Sequence, residues 1–374
     1  MKNKFLNFIS YYQWWKKIDK FILSLIIILF LMGLFFSLAS TSLIASDRLD
    51  TNSYFFFFKH MVFVMMGVGI IIFLSFIEQK NLYKISILFF CLSLILLLLV
   101  PLIGVEVKGS KRWINLFILP RIQPIEFVKP FFIVILSLLL SSQKYSNLNF
   151  KFFLSFLLTS FIAIFLIIQP DLGQTLLIGL SWIILIFISG VNIIFLFTIF
   201  IILITSFFFI VMYFPRFEYI RNRLFSFFNP ENGTHNFQSD KAIESIISGG
   251  FFGKGLGEGT LKARVPEAHT DYIISIISEE FGVIAIILIL LMFLIFIYSV
   301  LKKVNLENDE RTKLILVGCV SLILVQAMIH IGVNIRLFPT TGMTLPFISY
   351  GGSSIISISI LSGIILNLTK RKIY

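Results

Sequence analysis

Residues 85–103 read ISILFFCLSLILLLLVPLI, a run without one charged side chain. A helix needs about 20 apolar residues to cross the hydrocarbon core of a bilayer, so this run has the length of one membrane span. Similar runs lie at Phe21–Ala45, Met61–Ile77, Phe127–Ser142, Phe152–Ile168, Leu172–Gly190, Asn192–Phe214, Gly282–Leu301, Leu314–Val333 and Ser353–Leu368. These runs rarely alternate between apolar and polar residues, which favours helices over barrel strands. The sequence therefore predicts an all-α polytopic membrane protein with about ten transmembrane helices.

The composition of the 374-residue chain agrees with this prediction. Hydrophobic residues make up 58% and charged residues 13%, whereas a soluble domain is about half apolar and about a quarter charged. A soluble enzyme, a disordered chain and a secreted disulfide scaffold are thereby excluded. Lysine and arginine at both ends, read with the positive-inside rule, predict cytoplasmic tails at residues 1–20 and 369–374. Residues 21–368 then form one transmembrane domain.

Two outer segments carry basic residues against that rule. Ten spans put residues 104–125 outside, together with a large loop, residues 215–275, between the seventh and eighth helices. The first segment carries Lys108, Lys111, Arg112 and Arg121, and the second carries Arg216, Arg221, Arg223, Lys241, Lys254, Lys262 and Arg264. Long loops escape the rule, which accounts for the second segment but not the first. The alternative, equally open, is that these cations bind an anion such as a lipid diphosphate.

Polar residues concentrate in four segments, residues 109–130, 169–175, 249–280 and 334–354. On the ten-span arrangement all four lie at the outer side. Polar groups at membrane depth are energetically expensive, so they are functional candidates. The sequence thus predicts an outward-facing site where the four segments meet.

Five short motifs within these segments carry a resemblance. They are, in order, Arg112-Trp113, Gln123-Pro124-x-Glu126, Gln169-Pro170-Asp171, His269-Thr270-Asp271 and the run Ser349–Ser354. Together they resemble the SEDS family (shape, elongation, division and sporulation), the FtsW/RodA group, over nearly the whole chain. The resemblance implies a glycosyltransferase that polymerises lipid II into glycan strands at the outer face of the cytoplasmic membrane. Undecaprenyl pyrophosphate would be the leaving group.

The identities of residues within the motifs favour one branch of the family. The chain resembles the FtsW division branch more than the RodA-type elongation polymerases in Ala268 between Glu267 and His269 and in residues 109–113 and 342–347. The elongation polymerases remain an alternative. Division membership implies septal cell-wall synthesis and a multi-pass protein of the inner membrane at the division septum. It also implies a class B penicillin-binding protein, an FtsI-like transpeptidase, and other division proteins as partners. No nucleic acid is implied.

Asp271 is the predicted catalytic residue. It matches the family's catalytic aspartate, so the resemblance implies a general base that takes the proton of the attacking sugar hydroxyl. Without the resemblance, an aspartate just before a membrane helix is more often an N-cap of that helix.

Ten further residues are predicted to bind substrate: Arg112, Trp113, Glu126, Lys129, Asp171, Lys262, His269, Thr270, Ser349 and Tyr350. Several have a structural alternative. Arg112 and Trp113 are typical of interfacial anchors. Glu126 and Lys129 share a helix face and could form an ion pair that only fixes packing.

Asp171 and His269 have alternatives of the same kind. Asp171 follows a proline between two spans and could simply cap a helix. No second histidine lies near His269, which favours an orienting hydrogen-bond partner over a metal ligand. No cofactor is therefore assigned, and a divalent cation, Mg²⁺ or Mn²⁺, stays open.

The glycine-rich segment, residues 249–259, reads GGFFGKGLGEG and invites comparison with a phosphate-binding loop. The required Gly-x-x-x-x-Gly-Lys-Ser/Thr spacing is absent, because Lys254 is followed by glycine. We expect flexible backbone that approaches a ligand or forms a hinge.

Two rival functions belong to other classes. A lipid II flippase would carry a charged file through the bilayer midplane or paired broken helices, and the mid-span stretches are nearly all Leu, Ile and Phe. A scaffold that recruits division proteins would tolerate substitutions in the outer loops.

Overall fold

The computed structural model describes residues 11–41, 54–107, 110–115, 120–143, 148–228, 237–261, 265 and 268–370. These residues are mostly helical. The helices are α1 (Tyr11–Lys17), α2 (Lys20–Thr41), α3 (Phe55–Phe76), α4 (Gln79–Ile103), α5 (Pro124–Leu140), α6 (Leu148–Ile168), α7 (Leu172–Ile188), α8 (Ile193–Tyr213), α9 (Glu218–Phe228), α10 (Phe237–Gly249), α11 (Ile273–Leu306), α12 (Glu310–Asn334) and α13 (Gly352–Leu368).

Every predicted apolar run coincides with one of these helices. By length and hydropathy, α2, α3, α4, α6, α11 and α12 are each able to cross a membrane, and α7 and α13 are shorter apolar helices of 17 residues. Large apolar side chains such as Leu88, Phe153 and Ile194 are exposed on the outward faces. Apolar surface of this extent marks a lipid-facing exterior. The chain is a polytopic membrane protein, and the count of ten spans stays a prediction.

The largest difference from the predicted spans concerns α11. Its first residue is Ile273, nine positions before the predicted span began, and its backbone is interrupted at Gly282 with φ 75° and ψ −177°. The early part escaped prediction because it contains serine and glutamate that are buried against protein. The loop predicted at residues 215–275 accordingly ends where α11 begins. It holds a 3₁₀ turn (Pro215–Phe217), α9 and α10.

A short hairpin joins α4 to α5. Strands β1 (Val105–Val107) and β2 (Ser110–Trp113) pair antiparallel, with Val105 opposite Trp113 and Val107 opposite Ser110. This hairpin carries two predicted site residues, Arg112 and Trp113.

Helix α12 is the centre of the bundle. It packs against α5, α7, α11 and α13, and 83% of its apolar stretch is buried inside the protein. Gly318 allows close packing against α5 and α7, because a β-carbon there would meet the side chains of Ile133 on α5 and Leu185 on α7. The core therefore fixes the ends of α5, α11, α12 and α13 relative to one another, and the candidate site lies at those ends.

Candidate active site

One cavity of about 630 Å³ opens where these helix ends and the hairpin meet. All four predicted polar segments contribute to its lining. The first supplies Ser110, Arg112, Trp113, Arg121, Gln123 and Glu126, the second Gln174, the third Thr270, Asp271 and Tyr272, and the fourth Thr340, Thr341, Gly342, Met343, Thr344, Tyr350, Gly351, Ser353 and Ser354. Segments that lie up to 244 residues apart in the chain (110 to 354) thus form one polar site.

Asp271 borders this cavity at the approach to α11. The residue that caps α11 is Tyr272, and it makes no side-chain capping bond, so Asp271 does not occupy the N-cap position considered above. Its backbone carbonyl accepts a hydrogen bond from Asn334 Nδ2 at 3.1 Å. A β-carbon on Gly342 would lie 3.5 Å from Asp271 Oδ2, so the glycine keeps the space beside the carboxylate open.

Glu126 and Lys129 form the ion pair that their spacing predicts. Lys129 Nζ lies 2.7 Å from Glu126 Oε2, and the lysine side chain is fully buried. Gln174 donates to Glu126 Oε1 at 2.8 Å, and Lys129 donates to Gln326 Oε1 at 3.2 Å. Glu126 borders the cavity and Lys129 does not. The pair is therefore a buried ion pair of which only Glu126 borders the cavity.

Arg112 is oriented by the connection between α6 and α7. Its guanidinium donates to the carbonyls of Gln169 (3.2 Å) and Pro170, and its Nε lies 3.8 Å from Asp171 Oδ2. Asp171 caps α7 through a bond from the backbone N–H of Gln174 (3.4 Å). Burial raises the pKa of Asp171, and the nearby Arg112 guanidinium opposes that shift. Asp171 thus acts as cap and as anchor of Arg112, and it does not border the cavity.

In the part of the chain that the structure describes, three arginines border the cavity: Arg112, Arg121 and Arg223. Arg223 comes from α9 in the large loop, and it was one of seven basic residues in that segment with nothing in the sequence to single it out. Trp113 adds an aromatic face beside Arg112. These arginines supply the positive charge that binding of an anionic ligand requires.

Other predicted residues lie behind the cavity wall. The ring of His269 packs against Phe56, with 4.5 Å between ring centroids, and the His269 carbonyl accepts from the backbone N–H of Tyr350 at 3.1 Å. Ser349 is buried and accepts from the backbone N–H of Leu345 at 2.9 Å, closing a turn. Thr270 and Tyr350 themselves border the cavity. Lys262 lies outside the described residues.

A polar stripe on α12 was missed by the sequence reading. Gln326, His330 and Asn334 lie four residues apart, so they share one helix face. Gln326 and His330 contact successive backbone carbonyls of the loop before α13, at 3.0 and 2.7 Å, and Asn334 holds the carbonyl of Asp271. The spacing of three polar residues in an apolar run was the available signal.

The glycine-rich segment does not approach the cavity as expected. None of residues 249–259 borders it. Backbone N–H groups of the segment instead donate to the backbone carbonyls of Glu279 and Glu280 on α11. Its glycines permit close packing of backbone on backbone, and this corrects the ligand-approach interpretation.

Among the described residues, two carboxylates border the cavity, Asp271 and Glu126, and the second is already paired with Lys129. Across the described ranges, no three histidine, cysteine, aspartate or glutamate side chains cluster as metal ligands do. Mg²⁺ is commonly held by one or two carboxylates together with substrate phosphates. These residues fit an ion that arrives with a phosphate-bearing ligand, and they do not form a complete resident metal site.

Curated proteins of the same kind match this chain over most of its length. A protein of Caulobacter vibrioides named probable peptidoglycan glycosyltransferase FtsW is 31% identical over 361 residues, which cover 96% of this chain and 91% of that protein. A protein of the same name from Marinomonas mediterranea is 34% identical over 347 residues, or 90% of this chain and 84% of that one.

Two solved structures share the fold. One, described as structural coordination of polymerization and crosslinking by a peptidoglycan synthase complex, superposes with a TM-score of 0.75 at 21% identity over 94% of this chain and 97% of that one. The rod shape determining protein RodA of Thermus thermophilus superposes with a TM-score of 0.69 at 22% identity over 95% and 97%. The family model of FtsW, RodA and SpoVE, described as cell cycle protein, matches residues 19–374. The chain belongs to this FtsW/RodA/SpoVE family.

Proposed function

We propose that this protein is a peptidoglycan glycosyltransferase that polymerises lipid II, and that it does so in the division branch of its family. The observation that carries the proposal is the cavity that the Asp271 carboxylate borders together with Arg112, Arg121 and Arg223. Relatives that are at least 31% identical and are named peptidoglycan glycosyltransferase FtsW support both the activity and the branch.

The reaction joins a lipid-linked glycan to one more lipid II. Asp271 accepts the proton of the attacking sugar hydroxyl, whose oxygen forms a new bond to the anomeric carbon of the other substrate. The bond from that carbon to the diphosphate oxygen breaks, and undecaprenyl pyrophosphate leaves with the bonding electron pair. The product is a glycan longer by one disaccharide, and the proton resides on Asp271 until solvent removes it.

The cations of the cavity serve the leaving group. A diphosphate leaves without needing a proton, but its growing negative charge must be stabilised. Arg112, Arg121 and Arg223 supply that charge from the hairpin, the loop before α5 and α9 respectively. Arg112 is preorganised, because the Gln169 and Pro170 carbonyls and Asp171 fix its orientation.

The membrane arrangement follows from the same proposal. Ten helices that coincide with ten apolar runs would place both termini in the cytoplasm and the cavity at the outer face of the inner membrane. The proposed site of action is the division septum, with an FtsI-like class B penicillin-binding protein as partner. The superposition on a synthase complex that couples polymerization to crosslinking supports such a partner.

The test is polymerisation of labelled lipid II by the purified protein in detergent, with a class B penicillin-binding protein present. Asp271→Asn keeps the size of the side chain and removes the base, so we expect activity to fall about 10²–10⁴-fold. Glu310→Gln, which neutralises an exposed carboxylate in the first turn of α12, is the matched control and should retain activity.

The same assay separates the rival functions. A flippase needs two compartments, so it would give no polymer in detergent. A scaffold would give none either, and Asp271→Asn would then complement a deletion strain. Wild-type polymerisation by Asp271→Asn at normal protein level would refute the assignment of the base.

A further inference from the structure

The break in α11 is repaired by backbone from another part of the chain. At Gly282 the helix departs from helical geometry, with φ 75°. In a continuous helix, the carbonyls of Glu279 and Glu280 would accept from the N–H groups four residues later. Here they accept from the glycine-rich segment instead, at 2.9 Å from Lys254 N and 3.1 Å from Gly255 N.

The N–H groups on the other side of the break are satisfied in the same way. Val283 and Ile284 would donate to those two carbonyls in a continuous helix. They donate instead to the carbonyls of Gly250 and Phe251, at 3.0 and 3.4 Å. Four bonds to the glycine-rich segment therefore replace two bonds within α11, and no backbone group of the exchange is left unpaired.

Glycines make this exchange sterically feasible. A β-carbon on Gly282 would collide with the backbone of Phe251 and Gly253, and one on Gly253 would collide with the Glu280 carbonyl. Both glycines also have positive φ, 75° and 77°, which other residues adopt at a cost. The two backbones thus touch at positions where only glycine fits.

Side chains hold the segment and the first part of α11 together. Glu279 is fully buried and accepts from Ser245 Oγ of α10 at 2.9 Å and from Leu261 N at 2.8 Å. Lys254 Nζ lies 3.6 Å from the same carboxylate. These contacts fix the direction in which residues 273–281 leave the break, and Asp271 lies at the far end of that stretch.

We propose that the glycine-rich segment positions Asp271, with Gly253 and Gly282 as positioning residues. Four backbone groups of α11, the carbonyls of residues 279 and 280 and the N–H groups of residues 283 and 284, can bond either to the segment or to one another within the helix. Helix α11 therefore has two arrangements. In the docked one the helix is bent at Gly282 and Asp271 borders the cavity. In the undocked one α11 is continuous through residue 282, which re-aims residues 273–281 and withdraws the carboxylate. The link to Asp271 rests on the proposed function, whereas the exchange of bonds does not.

Hydrogen exchange of the full-length protein in nanodiscs tests the exchange of bonds. In the wild type we expect the amides of residues 254–255 and 283–284 all to be protected. Gly282→Ala blocks docking and favours helix at that position. It should abolish protection at residues 254–255 and keep it at 283–284, since those amides then bond within α11.

Two further variants serve as controls for this measurement. Gly253→Ala blocks docking from the other side while leaving α11 unchanged, and it should give the same pattern. Gly190→Ala also has positive φ, 95°, but no atom within 4 Å of its β-carbon, so it should leave both regions as in the wild type. Rapid exchange of wild-type residues 254–255 would overturn the proposal without any variant. Loss of protection at both regions in Gly282→Ala, which indicates local unfolding, would overturn it as well.

Polymerisation kinetics test the positioning of Asp271. Displacement of a base by about 1 Å lowers turnover about 100-fold. We expect Gly282→Ala to lower kcat by about that factor with KM within about threefold of the wild type, since the cavity arginines stay in position. Wild-type kcat in a variant with the undocked exchange pattern would overturn the positioning role. A fully active Asp271→Asn enzyme would instead refute the assignment of Asp271 as the base, and absence of polymer from the wild type would refute the proposed function. Both outcomes leave the exchange results standing.

Discussion

Breaking the ion pair between Glu126 and Lys129 one partner at a time should destabilise the protein more than removing both charges. The Lys129 side chain has no exposed surface, and its contacts are Glu126 Oε2 at 2.7 Å and Gln326 Oε1 at 3.2 Å. Glu126→Gln leaves the ammonium buried without a counter-charge, which costs about 3–5 kcal/mol. Lys129→Met costs less, about 1–3 kcal/mol, because the Glu126 carboxylate borders the cavity and keeps the bond from Gln174.

The double variant Glu126→Gln/Lys129→Met should recover stability to within about 1 kcal/mol of the wild type, since neutral side chains of similar volume replace a buried pair with little loss. The measurement is the free energy of unfolding from a detergent titration in mixed micelles. Lys241 and Glu244 provide a matched control, because they form an i,i+3 pair at 2.6 Å that is partly exposed. Lys241→Met should cost about 0–1 kcal/mol.

Two outcomes would refute this reasoning: a Glu126→Gln variant as stable as Lys241→Met, or a double variant no more stable than Glu126→Gln alone. Polymerase activity of the double variant then decides between the two roles left open for the pair. Near-normal activity would mean that the pair only fixes packing. Strong loss in a stable double variant would mean that Glu126 contacts substrate.

Three further predictions concern a buried amide, a helix cap and an ion pair elsewhere in the bundle. Asn367→Leu removes two donations from a buried amide to carbonyls at the end of α3 (2.6 and 2.7 Å) and should cost about 1–3 kcal/mol in the same titration; an unchanged midpoint would contradict it. Asp171→Ala removes the α7 cap and should cost about 1–2 kcal/mol while also lowering polymerase activity through Arg112; a fully active, stable variant would argue against both roles. Burial opposes ionisation of Asp19, but Lys303 (2.7 Å) and two backbone N–H groups outweigh it and lower its pKa below 3.8. Its contribution to stability is therefore present above pH 3.8 and lost as pH falls through the lowered pKa, and Asp19→Asn should reduce that loss in acid unfolding curves.

The helices were predictable because the signal for them is local. A run such as Phe152–Ile168 needs only length and lack of charge, and its predicted start at Phe152 lies four residues after the observed start of α6 at Leu148. The early start of α11 was not predictable in this way. Ser275, Ser278 and Glu279 read as loop residues. The hydrogen bonds that Ser275 and Glu279 accept come from Ser245 on α10 and from Leu261, which lie 18 to 34 residues earlier in the chain.

In the candidate site, too, features with a local sequence signal were predictable, and features that depend on the placement of distant elements were not. Family membership was predicted from motifs, and the convergence of four polar segments was predicted from the distribution of polar residues. Both are confirmed. The substrate-binding roles of individual residues stay predictions. Arg223 was indistinguishable from its basic neighbours, because only the placement of α9 brings it to the cavity. Gln326 and His330 were overlooked because one polar residue per turn barely changes the mean hydropathy of a long apolar helix.

The central position of α12 has a consequence for how the protein is made. Its polar stripe would be exposed to acyl chains if it left the translocon alone, and unsatisfied amides in lipid are strongly disfavoured. Of the helices it packs against, α5, α7 and α11 are synthesised before it and only α13 after it. During biogenesis α12 can therefore leave the translocon only after α5, α7 and α11 have inserted and can cover its polar side chains. Insertion defects in those earlier helices should leave α12 retained at the translocon and degraded.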